Sequence, residues 1–208
     1  MNLLPDERID DLQRKMPDGR ELKIIQNPNW FCFGIDAVLL ADFAEVKQGD
    51  EVMDLGTGTG IIPLLLAAKT GAAHIDGLEI QEEVCTMAQR SVQMNSLEDK
   101  INITNADLVG FKTSKQYNVV VCNPPYKTAD TGLVNPDDKL KISRHEVCCN
   151  LHEIVKTAAR ILKPFGRFFN IGMDITYTLW FKFLYSHFIH YIRYALRSVY
   201  KCKPPERL

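Results

Sequence analysis

Six cysteines occur in 208 residues, at positions 32, 85, 122, 148, 149 and 202, and none forms a C-x-x-C pair. The missing spacing argues against a structural zinc site and against a disulfide framework. Free, mostly buried thiols in a reducing compartment are expected instead. The opening Met-Asn-Leu-Leu-Pro-Asp-Glu-Arg carries no basic stretch followed by an apolar one, so no export signal is read and the expected compartment is the cytoplasm. A charge excess is missing as well: 25 Lys+Arg stand against 26 Asp+Glu, a formal net of −1. Non-specific coating of nucleic acid is therefore not expected, and any such contact must use a local patch. Internal repeats and low-complexity tracts are absent. A chain that is 46% hydrophobic and 25% charged is an ordinary globular one, neither disordered nor fibrous. Its length suits one domain, or one domain with a short appendage.

Along the chain, residues 1–30 are polar and mixed, with turn signals at Pro17-Asp18-Gly19 and Asn27-Pro28-Asn29. They read as an N-terminal appendage holding a strand or hairpin around Leu22–Gln26. Apolar residues at 35, 38, 39 and 43 have helical spacing. From there strands and helices alternate. Strands are read at Glu51–Leu55, His74–Ile80, Ile101–Ala106, Tyr117–Cys122 and Arg167–Ile171. Helices are read after Gly60, at Glu82–Asn95 and at Leu151–Leu162. Pro63 falls in a first helical turn, where its missing N–H costs little. Such alternation implies crossover connections and an α/β, doubly wound, mostly parallel sheet with helices on both faces.

The strongest local signal is a strand running into Asp54-Leu-Gly-Thr-Gly-Thr-Gly60 and then a helix. Glycines permit the sharp turn and a close backbone approach by a ligand. The G-x-G-x-G spacing differs from the G-x-G-x-x-G dinucleotide fingerprint. The strand-borne acid repels a phosphate and suits a cationic, aminoacyl-bearing ligand such as S-adenosylmethionine. Asp54, Gly56, Thr57, Gly58 and Gly60 are its candidate contacts, against the alternative of a tight turn without a ligand. Glu79, ending the second strand of the alternation, is placed to accept both ribose hydroxyls. Asp107, after the third, is placed to accept from the adenine amino group or to cap a helix.

Tyr117–Cys122 leads directly into Asn123-Pro124-Pro125-Tyr126. Two prolines stiffen the loop and leave its carbonyls free. The Asn123 side-chain oxygen and the Pro124 carbonyl can accept both N–H bonds of a planar amine, directing its lone pair at a methyl donor. Tyr126 offers a stacking face for a base, worth roughly 1–3 kcal/mol. Positioning then supplies most of the rate, and no strong base is needed. Asn123, Pro124 and Tyr126 are the candidate catalytic residues. Asn123, Pro125 and Tyr126 are candidate substrate contacts. A diproline turn that merely ends a strand is the alternative.

In that order, Asp54–Gly60, Glu79, Asp107 and Asn123–Tyr126 resemble the class I S-adenosylmethionine-dependent methyltransferases that act on planar nitrogen, a Rossmann-like fold. Phe31–Phe43 upstream and Lys141–Glu146 downstream narrow the resemblance to the bacterial tRNA-valine adenine-37 N6-methyltransferase family, of the methyltransferase small domain group. The resemblance covers roughly residues 5–172. It implies the cofactor S-adenosylmethionine, an RNA substrate of the tRNA class, and no metal or membrane partner. It also implies that Phe33 and Asp36 line the methionine end of the cofactor pocket. Lys127, Lys139, Lys141 and Arg144 would guide an RNA backbone, or belong to a solvated loop. His145-Glu146 is read as loop packing or capping. Guanine-N2 RNA methylation, DNA-adenine methylation, protein glutamine-N5 methylation and a silent cofactor-binding module are the alternatives.

The methyltransferase domain is read as 31–172, and the tail 173–208 as atypical. Residues 170–208 hold nine of the nineteen aromatic residues and six Lys+Arg against two acids. Apolar residues at 177, 180, 181, 184, 185 and 188 fit one helix face, with polar residues on the others, which excludes a membrane span. The antiparallel hairpin that should complete the family's sheet is not found after Ile171. The tail is therefore expected to be helical, divergent or frame-shifted.

Overall fold

The structure, a computed structural model, describes residues 3–30, 32–124, 151–171 and, as backbone, 176–180. An antiparallel hairpin opens it, β1 (Arg8–Lys15) and β2 (Glu21–Gln26). Its turn falls at the Pro17-Asp18-Gly19 signal, with Gly19 N–H donating to Met16 O at 2.8 Å. There follow α1 (Ile35–Phe43), β3 (Glu51–Leu55), α2 (Ile61–Lys69), β4 (His74–Glu79), α3 (Glu82–Met94), β5 (Ile101–Asn105) and β6 (Tyr117–Cys122). Beyond these lie α4 (Leu151–Ile161), β7 (Leu162–Ile171) and β8 (Thr176–Trp180).

Six strands form one sheet in the order β5-β4-β3-β6-β7-β8, parallel except for β8, which pairs antiparallel with β7. The chain lays down β3, β4 and β5 outward on one side, then returns to place β6 on the other side of β3. The order reverses between β3 and β6, and the carboxyl ends of two such strands form the crevice where doubly wound sheets hold ligands.

Alternation along the strands divides the core. Val52, Ile75, Val119, Val121 and Phe169 face a cluster built with α1, α2, α3 and the hairpin. Met53, Leu78, Val120 and Phe168 face the other side, where Ile154, Ala158 and Ile161 of α4 pack with Leu108. Each fully buried Leu, Ile or Phe stabilises by roughly 1.5–3 kcal/mol before entropy is counted. A buried ion pair joins the two halves of the chain: Arg167 of β7 donates to Asp50, just before β3. The hairpin's outer edge is covered by side chains of α3. Ser91 Oγ accepts from Ile25 N–H at 2.9 Å, and Asn95 exchanges bonds of 3.0 and 2.6 Å with the Lys23 backbone.

The helical spacing at 35, 38, 39 and 43 locates α1, whose buried residues are Ala37, Leu40 and Ala41, while Ile35, Leu39 and Phe43 are exposed. One expectation is corrected: an antiparallel strand does follow Ile171, and residues 176–180 are not helical. Thr-Tyr-Thr-Leu-Trp is rich in β-branched and aromatic residues, and short apolar runs satisfy either period. The remainder of the tail, 181–208, lies outside the described residues. Among the described residues no helix is long and apolar enough to cross a membrane.

Candidate functional site

The glycine turn leaves β3 with Gly56, Gly58 and Gly60 at φ +72°, +56° and +81°. Gly60 is the most constrained. It begins α2 in the left-handed region, and a Cβ there would stand 3.3 Å from the Ala88 Cβ of α3. The turn is tied to β4 at two points. Thr57 N–H donates to Leu78 O at 2.8 Å, and Gly58 N–H donates to Glu79 Oε2 at 2.9 Å.

Asp54 is completely buried at the end of β3, and neither of its carboxylate oxygens meets a partner in hydrogen-bonding geometry. Burial raises its pKa to about 7; the Thr57 hydroxyl close by opposes the rise and the Glu79 charge adds to it. The Thr57 and Thr59 hydroxyls are likewise buried without a partner. Unsatisfied buried acceptors cost about 1–3 kcal/mol each and persist where something else requires them. A ligand bearing a positive charge and N–H or O–H donors fits this set. An anionic phosphate does not.

Glu79 is also buried, and burial raises its pKa against the bonds it accepts from the Gln81 and Gly58 backbone. Gln81 N–H reaches Oε1 at 2.9 Å. Each carboxylate oxygen carries two lone pairs, so capacity remains for hydroxyl donors. Asp107 is exposed; its Oδ1 accepts from Val109 N–H at 2.8 Å, holding a turn rather than starting a helix. The helix-capping alternative for Asp107 is thereby removed.

Leu55 pairs with Cys122 across β3 and β6. One step further, Gly56 and Asn123 leave adjacent strands at the same edge of the sheet. Asn123 and Pro124 are half-buried there. Phe33 and Asp36, both half-buried, lie in the segment entering α1, and Phe33 packs against the core cluster on that side of the sheet. Pro125, Tyr126, Lys127, Lys139, Lys141, Arg144, His145 and Glu146 lie outside the described residues. Among the described residues no group of three or more His, Cys, Asp or Glu side chains is placed to hold a metal ion.

Several contributors escape sequence reasoning. Gly77 of β4 leaves room for the turn, since a Cβ there would stand 3.0 Å from Thr57 Oγ1 and 2.8 Å from Ile103 Cδ1. Ile80, beside Glu79, is exposed at this edge, while Asn105 Nδ2 holds its carbonyl at 2.9 Å. An apolar residue directly after a strand-ending acid was the available signal. Asn170 of β7, paired with Cys122, is buried with its Oδ1 unpartnered next to the Asn123 corner. Nothing in the sequence around Asn170 marks it out.

Comparison with known proteins agrees with this fold. The chain shares a fold with geranyl diphosphate methyltransferase in complex with S-adenosylmethionine, at TM-score 0.50 and 15% identity over 66% of this chain and 48% of that one. The YcgJ protein of Bacillus subtilis gives TM-score 0.50 and 17% identity over 65% of this chain and 49% of that one. A protein of Dyadobacter fermentans named tRNA1(Val) (adenine(37)-N6)-methyltransferase is 32% identical over 133 residues, 64% of this chain and 55% of its own length. One of the same name from Glaesserella parasuis is 36% identical over 132 residues, again 64% and 55%. The chain thus spans little more than half the length of the curated relatives it matches. Residues 21–177, well over half of the chain, match the methyltransferase small domain family, and the chain belongs to that family.

Proposed function

We propose that this chain is an S-adenosylmethionine-dependent N-methyltransferase acting on adenine N6 in RNA, with tRNA as the substrate class. The observation that carries the reading is the adjacency of β3 and β6, which brings the Asp54–Gly60 turn and the Asn123-Pro124 corner to one crevice. The names of its relatives point the same way.

Bound S-adenosylmethionine supplies an electrophilic methyl group on a sulfonium. Phe33, Asp36, Asp54, Gly56, Thr57, Gly58, Gly60, Glu79 and Asp107 would hold it. The two buried acids of that set favour a cation, and the unpartnered Asp54 oxygens accept from an amino group. Asn123 Oδ1 and the Pro124 carbonyl accept the two hydrogens of the substrate NH₂, which fixes the plane of the amine. The nitrogen lone pair is thereby freed from competing contacts, and orientation accounts for most of the acceleration. Transfer would exchange the sulfur–methyl bond for a nitrogen–methyl bond with a thioether as the leaving group. The acidic nitrogen would then lose its proton to water, the neutral amide oxygens of Asn123 and Pro124 serving only as hydrogen-bond acceptors. Tyr126 would offer the base a stacking face, and Pro125 would be a further substrate contact. Lys127, Lys141 and Arg144 contact the RNA backbone. The base must leave its stack, at a cost of a few kcal/mol that a loop reduces.

Incubation with methyl-labelled cofactor and, separately, bulk tRNA, DNA and total protein tests the proposal. Label recovered as N6-methyladenosine from digested tRNA is the expected result. Label on guanine, in DNA or on glutamine identifies an alternative substrate, and cofactor binding with no label in any fraction identifies a silent module.

A further inference from the structure

The N-terminal hairpin does more than cover a helix. At the end of β2, the side chain of Gln26 is buried, and it bonds in two directions. Its Oε1 accepts from the backbone N–H of Phe33 at 3.1 Å, and its Nε2 donates to Asp10 of β1. Asp10 is held in turn by Arg8 at 3.1 Å. The turn between Gln26 and Phe33 has its own closure, since Asn27 accepts from Asn29 N–H at 2.9 Å and from Trp30 N–H at 3.0 Å. The Gln26 amide is therefore not needed to make the turn. Its orientation is fixed, because reversing it would face an NH₂ against the Phe33 N–H and an oxygen against the Asp10 carboxylate. The hairpin that presents it is anchored on α3 by Ser91, Asn95 and the Arg90–Glu7 pair at 2.6 Å. That same helix is preceded by its N-cap Gln81, whose N–H donates to Glu79.

We propose that Gln26 is a positioning residue for the cofactor pocket: through one buried amide the hairpin sets the Phe33–Asp36 wall relative to the glycine turn. The inference rests on the reading of Phe33 and Asp36 as cofactor contacts. A polar bond of this kind contributes modestly, and an orphaned buried partner costs more than the bond itself is worth.

Gln26→Met keeps the volume and removes both bonds. Its expected effects are a roughly tenfold weaker S-adenosylmethionine affinity by calorimetry and faster hydrogen exchange at the Phe33 amide. Exchange of the amides within Glu21–Ile25 stays slow, and the transfer rate at saturating cofactor is retained. Gln26→Glu keeps the acceptor but sets two carboxylates together, so it binds weakly. Adding Asp10→Asn restores a donor at position 10 and recovers affinity. Wild-type affinity and Phe33 exchange in Gln26→Met would overturn the proposal. If Gln26→Met does not fold, the double variant decides, since recovery supports the inference and a folded double variant that stays weak overturns it. A wild-type chain that binds no cofactor refutes the underlying reading instead. Phe33 exchange in the Gln26 variants still reports on the amide's hold.

Discussion

The backbone N–H of Gly58 donates to Glu79 Oε2 at 2.9 Å, so a carboxylate ending one strand holds the turn that leaves its neighbour. The bond makes Glu79 structural as well as a candidate ribose acceptor. Glu79→Ala is expected to lose about 1–3 kcal/mol of stability, from two backbone donors left without their acceptor. Cofactor affinity should fall at least about tenfold. Glu79→Gln, which keeps one acceptor, should retain most of the stability while still binding weakly. Urea denaturation and calorimetry on both variants separate the two roles.

Asp54 gives the protein a pH dependence of definite sign. Its folded pKa is raised from 3.8 to about 7, so between these values the folded state holds a proton that the unfolded state has released. Stability from this group is complete below pH 3.8 and is lost as pH rises through 7. The slope approaches roughly 1.4 kcal/mol per pH unit in that window. Asp54→Asn should remove this slope, read as the difference between the two proteins' urea midpoints from pH 4 to 8. For the wild type, a cationic ligand at Asp54 should bind more tightly as pH rises through 7, with proton release. A ligand affinity that is flat with pH in this range contradicts that placement.

Gly60→Ala places a Cβ at φ +81° and 3.3 Å from Ala88. The left-handed backbone alone costs about 1–2 kcal/mol, and the close approach adds to it. A lowered melting temperature is expected, with the loss of cofactor affinity exceeding that of a surface Gly19→Ala control. Gly19 also has positive φ but no neighbour within 4 Å.

The Arg167–Asp50 pair is buried on both sides, so removing one partner strands the other. Asp50→Ala should destabilise by about 3–5 kcal/mol. A paired replacement by apolar residues of similar volume should cost much less. Denaturant midpoints of the single and double variants check this.

How much of the molecule its sequence discloses follows from the physics of each part. The β3–turn–α2 unit is legible because glycine spacing and a continuous apolar strand are local signals. Asn123 is legible for the same reason, as a proline-stiffened strand end. Its neighbourhood with Gly56 follows from sheet topology. The Gln26–Phe33 bond is not legible, since a lone glutamine carries no pattern and its partner is a backbone N–H. Asp76 is hidden similarly: within an apolar strand it gathers Tyr117 Oη at 2.9 Å and Lys115 Nζ at 2.8 Å, from 41 and 39 residues away. Those donors outweigh burial and keep its carboxyl below the usual range. Residues 176–180 satisfy helix and strand periods alike, and pairing with β7 selects the strand.

The central claim is a division of labour between two adjacent strand ends, cofactor at Asp54–Gly60 and amine at Asn123. The most direct measurement is S-adenosylmethionine titration by calorimetry alongside methyl transfer to tRNA, for the wild type, Asn123→Ala and Asp54→Ala. The account predicts that Asn123→Ala binds cofactor within about threefold of wild type while transfer falls at least about a hundredfold. It predicts that Asp54→Ala loses cofactor binding. Loss of cofactor binding in Asn123→Ala, or undiminished transfer by it, would contradict the account.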